Sequence, residues 1–279
     1  MKNQNMNNIW NQINSISSNG GNINSYENLK TIINDSDESK ELIIEVKNLK
    51  HEFKTIKKTK HIYDNINFNI YKGEKVAFLG PNGAGKTLMV ETICGTRKQT
   101  SGEIIYHFDH KKSNPYEHLG VQFQDFEFPT GLTVKDMIDF IIKLNNITNI
   151  VPEEFNYMLE TFQLKQILNS RVSKLSGGQK QRLNVTLSLL NKPKVVFLDE
   201  FTTGLDIAIK NSITNFIIEY CKKNNTSLVL ISHDIDSIEQ IVDRIIILAD
   251  KTIKIDLSIK QVEKDFGSVS KLLKKYITY

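Results

Sequence analysis

The sequence predicts an α/β protein with a mostly parallel sheet, an antiparallel β edge and a helical insertion, and three observations carry that reading. The runs 76–79, 195–198, Ser227–Ile231 and 245–248 are continuously apolar, as strands covered on both faces are. Helical segments separate these runs, as parallel strands joined by crossovers require, so the sheet is expected to be doubly wound. Between about Val121 and Leu190 strand signals vanish and helix signals replace them.

Taken in order, residues 1 to about 40 are rich in Asn and Ser, carry Gly20-Gly21, and end on the acidic Asp35-Ser36-Asp37-Glu38. They hold too little apolar area to fold and are expected to form a disordered tail, in which Ile9, Trp10, Ile13 and Ile16 share one helical face. Short strands follow at 42–46 and 66–70, with Lys72-Gly73-Glu74 as the turn before the strand 76–79. In the insertion, a helix at 133–145 opens with Thr133-Val134-Lys135-Asp136, one at 152–162 has Pro in its first turn, and another follows Gly178. Residues 251–255 read as an edge hairpin, and Leu272-Leu273-Lys274-Lys275-Tyr276 as a basic amphipathic ending.

Composition narrows the function classes. A hydrophobic fraction of 39% supports a packed core in 279 residues. Lys and Arg number 36 against 32 Asp and Glu, a mild excess spread along the chain, so no nucleic-acid partner is expected. Cys94 and Cys221 have no His or Cys at metal-ligand spacing and read as reduced thiols. No run approaches a membrane span and the N-terminus is Asn-rich, so neither a span nor a signal peptide is expected.

The chemistry starts at Gly80-Pro81-Asn82-Gly83-Ala84-Gly85-Lys86-Thr87-Leu88, which joins the strand 76–79 to a helix. Such a loop turns successive backbone N–H groups toward one point, and the helix N-terminus adds positive potential there. Lys86 is placed to reach the terminal phosphates and Thr87 to hold Mg²⁺, the pattern of a P-loop NTPase core. A second small-residue helix start, Ser176-Gly177-Gly178-Gln179, offers a further anion site. Asp199 ends a buried strand where its carboxylate serves Mg²⁺, and Glu200 stands one residue beyond.

Leu175-Ser176-Gly177-Gly178-Gln179-Lys180-Gln181-Arg182 ahead of Val195-Val196-Phe197-Leu198-Asp199-Glu200 resembles the signature motif and Walker B of ATP-binding-cassette (ABC) ATPases. The resemblance covers about residues 42 to 250, with every expected motif in order. It implies that Ser176, Gly177, Gly178 and Gln179 cap the γ-phosphate of ATP held by the partner's loop, in a head-to-tail homodimer or a heterodimer with another ABC ATPase. It further implies that Glu200 polarises the attacking water, that His233 contacts the γ-phosphate, and that Thr203-Gly204-Leu205-Asp206 is a dimer-interface loop. Gln124 matches the glutamine that meets Mg²⁺ and water, with Gln122 as local competitor. Phe53 matches the aromatic that stacks on adenine, with Tyr63 as the alternative.

Two positions depart from the family pattern. Leu88 stands where most relatives carry a second Ser or Thr, and Phe201 where most carry Pro. Losing one neutral hydrogen bond at position 88 lowers affinity by at most about tenfold.

The expected function is therefore the Mg-ATP-hydrolysing subunit of an ABC transporter, serving export, working with separate transmembrane permease subunits and lying peripherally on the inner, cytoplasmic face of the cell membrane. The expected division is a tail at 1–40, the ATPase domain at 41–250 with its helical part at about 121–190, and a C-terminal extension at 251–279. A soluble ABC ATPase of the iron–sulfur assembly type is the alternative.

Overall fold

Strands Ile32–Ile33 (β1), Leu42–Lys54 (β2), Thr59–Tyr71 (β3) and Lys75–Leu79 (β4) precede helix Lys86–Ile93 (α1) in the computed structural model. The structure describes residues 32–33, 40–54, 58–108, 114–124, 127–148 and 150–276, so the expectation for Ile9, Trp10, Ile13 and Ile16 lies outside the described residues. Strands Ser101–Tyr106 (β5) and Leu119–Gln122 (β6) follow, then helices Val134–Leu144 (α2), Pro152–Thr161 (α3) and Gly177–Leu189 (α4). The chain closes with Val195–Asp199 (β7), Ile207–Asn224 (α5), Ser227–Ile231 (β8), Ile235–Ile241 (α6), Arg244–Ala249 (β9), Thr252–Ser258 (β10), Ile259–Phe266 (α7) and Val269–Tyr276 (α8).

The larger sheet has the order β1-β10-β9-β4-β8-β7-β6, and β9, β4, β8, β7 and β6 are mutually parallel. Its central strands are buried on both sides, which explains their unbroken apolar runs. In β4, Ala77 and Leu79 join one core cluster while Val76 and Phe78 join the other, and β7, β8 and β9 divide in the same way. Period-two side-chain alternation thus feeds two separate cores from one set of residues.

Helices lie on both faces, as a doubly wound sheet requires, but the two faces are covered differently. The helices α2 to α8 pack into one core, whereas α1 and the antiparallel sheet β3-β2-β5 cover the opposite face. Strands β2 and β3 are longer than their apolar runs suggested, because their outer halves project polar residues to solvent and are held by each other's backbone.

The hairpin at 251–255 forms as β9 and β10, turned through Asp250 and Lys251, which both adopt positive φ, at 47° and 69°. It is not an edge: β1 pairs in parallel with β10, Ile32 opposite Ile255, so part of the expected tail adds a strand. The C-terminal helices bury Val262, Val269, Leu272, Leu273 and Tyr276 in the same core as the sheet. Arg244 on β9 fastens this end, donating to Asp256 on β10 at 2.5 and 2.6 Å, to Asn69 O at 3.0 Å and to Glu74 at 3.3 Å. Removing one partner from so buried a cluster would leave a charge uncompensated.

Helix α2 starts as its sequence demands. The Thr133 hydroxyl accepts from Asp136 N at 3.1 Å, and the Asp136 carboxylate accepts from Thr133 N at 2.9 Å, a reciprocal cap.

Candidate functional site

β4 ends at Leu79, and the chain turns through residues 80–85 into α1 at the C-terminal edge of the parallel strands, where α/β sheets bind ligands. Gly80 has φ 150°, and a Cβ there would lie 2.2 Å from Leu248 O. Gly85 has φ 93°, and its Cβ would meet Ile62 Cγ2 at 2.7 Å. Only glycine fits either place, so the loop can hug the end of β9 and the side of β3. Gly85 caps α1 without a side-chain hydrogen bond, so the first-turn N–H groups suit an anion. Lys86 is buried and folds over the loop, its Nζ donating to Gly80 O at 2.8 Å and Pro81 O at 3.2 Å. Burial holds its pKa below the usual lysine value.

Opposite the loop stand the ends of β7 and β8. Thr87 Oγ1 donates to Asp199 Oδ2 at 2.6 Å, bringing a hydroxyl and a carboxylate together as hard oxygen donors. Gln124 is exposed on the same cavity and adds an amide oxygen. No cluster of three or more His, Cys, Asp or Glu able to hold a metal occurs among the described residues. That donor set fits Mg²⁺, which is held by one or two protein oxygens and completes its shell with phosphates and water.

Glu200 takes φ 53°, turning the chain sharply out of β7, while its N–H donates to Ile231 O at 2.8 Å. Its Oε2 accepts from Thr203 Oγ1 at 3.3 Å, and its buried Oε1 has no hydrogen-bond partner among the described residues. His233 Nε2 stands 3.6 Å from that oxygen. Burial, then the neighbouring Asp199 charge, raises the Glu200 pKa above the ordinary value. Burial, then Lys86, lowers that of His233, which favours the neutral ring at neutral pH. A carboxylate with a raised pKa and one oxygen free of hydrogen bonds is suited to accept a proton.

These groups share one cavity of about 500 Å³. Of the sequence-predicted residues it is lined by Phe53, Asn82, Gly83, Gly85, Lys86, Thr87, Leu88, Gln124, Asp199, Glu200 and His233. Gly80 and Pro81 lie behind, holding Lys86, and Ala84 packs against the core. Ser176, Gly177, Gly178 and Gln179 do not line it. Ser176 instead caps α4, accepting from Gln179 N at 3.3 Å while Gln179 Oε1 accepts from Ser176 N at 2.9 Å. Helix α4 nonetheless touches the site from behind, because Gln181 Nε2 donates to Glu200 O at 3.0 Å.

Three uncertainties of sequence resolve in space. Gln122 is fully buried and exchanges hydrogen bonds with the Asp199 backbone at 3.0 Å each way, so it ties β6 to β7 and only Gln124 reaches the cavity. Tyr63 is fully buried and its hydroxyl bonds Thr92 Oγ1 at 3.1 Å, whereas Phe53 is 41% exposed on the cavity. Phe201 inserts fully into the main core, anchoring by burial the loop that bears Glu200. The cavity also takes in Lys60, Ile62, Glu91, Arg97 and Ile231. No motif marks these; strand pairing, which sets Lys60 opposite Phe53, brings the first of them there.

Residues 63–203 match the family model described as ABC transporter. The spermidine/putrescine import ATP-binding protein PotA of Mannheimia succiniciproducens is 30% identical over 227 residues, 80% of this chain and 60% of that protein. The nickel import system ATP-binding protein NikE of Staphylococcus aureus is 32% identical over 217 residues, 77% of this chain and 91% of that one. The chain thus spans less than two thirds of PotA but most of NikE. A dimeric ATP-binding cassette solved in a post-hydrolysis state with ADP and Pi superposes with a TM-score of 0.69 at 25% identity, covering 77% of this chain and 98% of that one. The matched stretch contains the glycine-rich loop, the Ser176 helix start and the Asp199-Glu200 pair, and the chain belongs to the ABC transporter family.

Proposed function

We propose that this chain is the ATP-hydrolysing subunit of an ABC transporter and that two copies, or one copy and a related cassette, close head to tail around Mg-ATP. The observation that carries the reading is Glu200 Oε1, buried, without a hydrogen-bond partner among the described residues, 3.6 Å from His233 Nε2, and set in the cavity beside Lys86, Thr87 and Asp199. The carboxylate takes the proton of a water that attacks the γ-phosphorus; the new P–O bond forms as the bond to the bridging oxygen breaks, giving ADP and phosphate.

The other residues position and neutralise. Lys86 Nζ exchanges its carbonyl partners for β- and γ-phosphate oxygens, and His233 faces the γ-phosphate beside Glu200. Thr87, Asp199 and Gln124 are the groups that would hold Mg²⁺, which supplies charge neutralisation on the phosphates. Phe53 offers a face to adenine, and the loop residues 80–88 wrap the triphosphate. Ser176, Gly177, Gly178 and Gln179 lie outside their own chain's cavity, so their phosphate role belongs to the partner's site, an arrangement supported by the dimeric state of the similar cassette.

On this reading residues 41–250 form the nucleotide-binding domain, with residues 121–190 its helical part and residues 251–279 its C-terminal extension, of which Val262, Val269, Leu272, Leu273 and Tyr276 join the core, and membrane-spanning subunits bind it from the cytoplasmic face. No helix among the described residues is long and apolar enough to cross a membrane. Export, the expected direction, has no support in the relatives, since PotA and NikE are each named for import. Phosphate release by the purified chain tests the proposal: Glu200→Gln and Lys86→Ala should each lower turnover at least about a hundredfold. Equal rates in the parent chain and both variants would refute it.

A further inference from the structure

Among the cavity residues that no motif marks, Arg97 is tied to Glu91 by two hydrogen bonds. Its backbone N–H donates to Glu91 O at 3.2 Å and its Nε to Glu91 Oε2 at 2.6 Å. Glu91 stands on α1, the helix that begins at Lys86, so the guanidinium is fixed relative to the glycine-rich loop. Its Nη groups have no hydrogen-bond partner among the described residues, and its central carbon lies 5.9 Å from the centroid of the Phe53 ring. His51 meets the same ring edge-on, with centroids 5.0 Å apart, and supports it from the buried side.

A flat base stacked between the ring and the guanidinium needs about 3.5 Å on each side, roughly 7 Å in all, so the pair opens by only about 1 Å to admit one. We propose that Arg97 is the second wall of the nucleobase subsite: the purine of the bound nucleotide lies between Phe53 and the Arg97 guanidinium, with Glu91 holding the guanidinium in place. The inference rests on the nucleotide reading of the cavity given above. Stacking of this kind favours any base with a π face over a bare phosphate chain and discriminates little among purines.

Calorimetric titration of the full chain with ATP, GTP and inorganic tripolyphosphate separates the possibilities. Arg97→Ala should weaken ATP and GTP by about threefold to tenfold and leave tripolyphosphate unchanged. Arg97→Lys, which keeps the charge and loses the plane, should weaken the nucleotides nearly as far. Arg97 is exposed and Glu91 half-buried, so both Arg97 variants should fold. Equal loss for tripolyphosphate and ATP would reveal attraction to phosphate and overturn the clamp, as would an Arg97→Lys chain that binds like the parent. Unchanged ATP affinity in Arg97→Ala sinks the clamp alone; a parent chain that binds neither nucleotide sinks the nucleotide reading with it.

Discussion

Thr87 on α1 and Asp199 at the end of β7 stand 112 residues apart in sequence, yet the threonine hydroxyl donates to the aspartate carboxylate at 2.6 Å. The contact joins the helix that follows the glycine-rich loop to the strand that delivers Glu200. Thr87→Val keeps the shape and removes one oxygen donor. The Mg²⁺ concentration giving half-maximal ATP hydrolysis should rise by about tenfold, read from a metal titration at saturating ATP. An unaltered metal dependence would exclude Thr87 as a ligand.

The buried position of Glu200 makes a pH prediction with a definite sign. Its folded-state pKa is raised above the ordinary 4.5, so the folded chain holds a proton on it that the unfolded chain has already lost. The contribution to stability is present in full below the unfolded value and is lost as pH rises through the folded one. Glu200→Gln should therefore melt a few degrees higher than the parent near about pH 8, with the gap closing toward about pH 4. Paired melting curves across that range check it, and a gap that widens in acid contradicts the assignment.

For the same reason the acid limb of the hydrolysis profile should fall above the ordinary glutamate value of 4.5. A limb at or below that value in a rate-against-pH profile at saturating Mg-ATP would show that another group takes the proton.

Phe201 is fully buried immediately after Glu200. Phe201→Ala should cost about 3–5 kcal/mol in a urea unfolding titration, and Phe201→Leu about 1 kcal/mol. Turnover should fall in the alanine variant even where the chain stays folded, since the loop bearing Glu200 loses its anchor. Parent-like turnover in folded Phe201→Ala would show that the loop is positioned by other contacts.

The proposed head-to-tail arrangement predicts a change of mass in solution. Glu200→Gln with Mg-ATP should scatter light as a dimer, and adding Ser176→Arg, on an exposed helix start outside its own cavity, should return it to the monomer. Dimers that persist with Arg at position 176 would place the interface elsewhere.

Much of the site was legible because its chemistry is local. A glycine-rich loop must follow its strand directly, and Asp199-Glu200 must end one, so spacing together with the family resemblance located them. What could not be read depends on partners far along the chain. Gln122 and Gln124 are two residues apart on β6 and its exit, but only pairing with β7 decides which is consumed by the sheet. That Phe53 and not Tyr63 lines the cavity follows from the Tyr63 hydroxyl bonding Thr92 on α1, and Arg97 reaches the cavity beside Glu91 with no motif to announce it.

The sequence by itself determined the class of fold, through apolar runs whose alternate residues feed two cores, and it marked the residues of the proposed phosphate site, through residue types at fixed short spacing. Only the tertiary structure decided how the faces are covered, that Ile32–Ile33 extends the sheet beyond β10, and that Ser176 lies outside its own cavity. The physical reason is range: backbone geometry and side-chain alternation act over a few residues, whereas sheet order and side-chain partners are set by burial between segments a hundred or more residues apart.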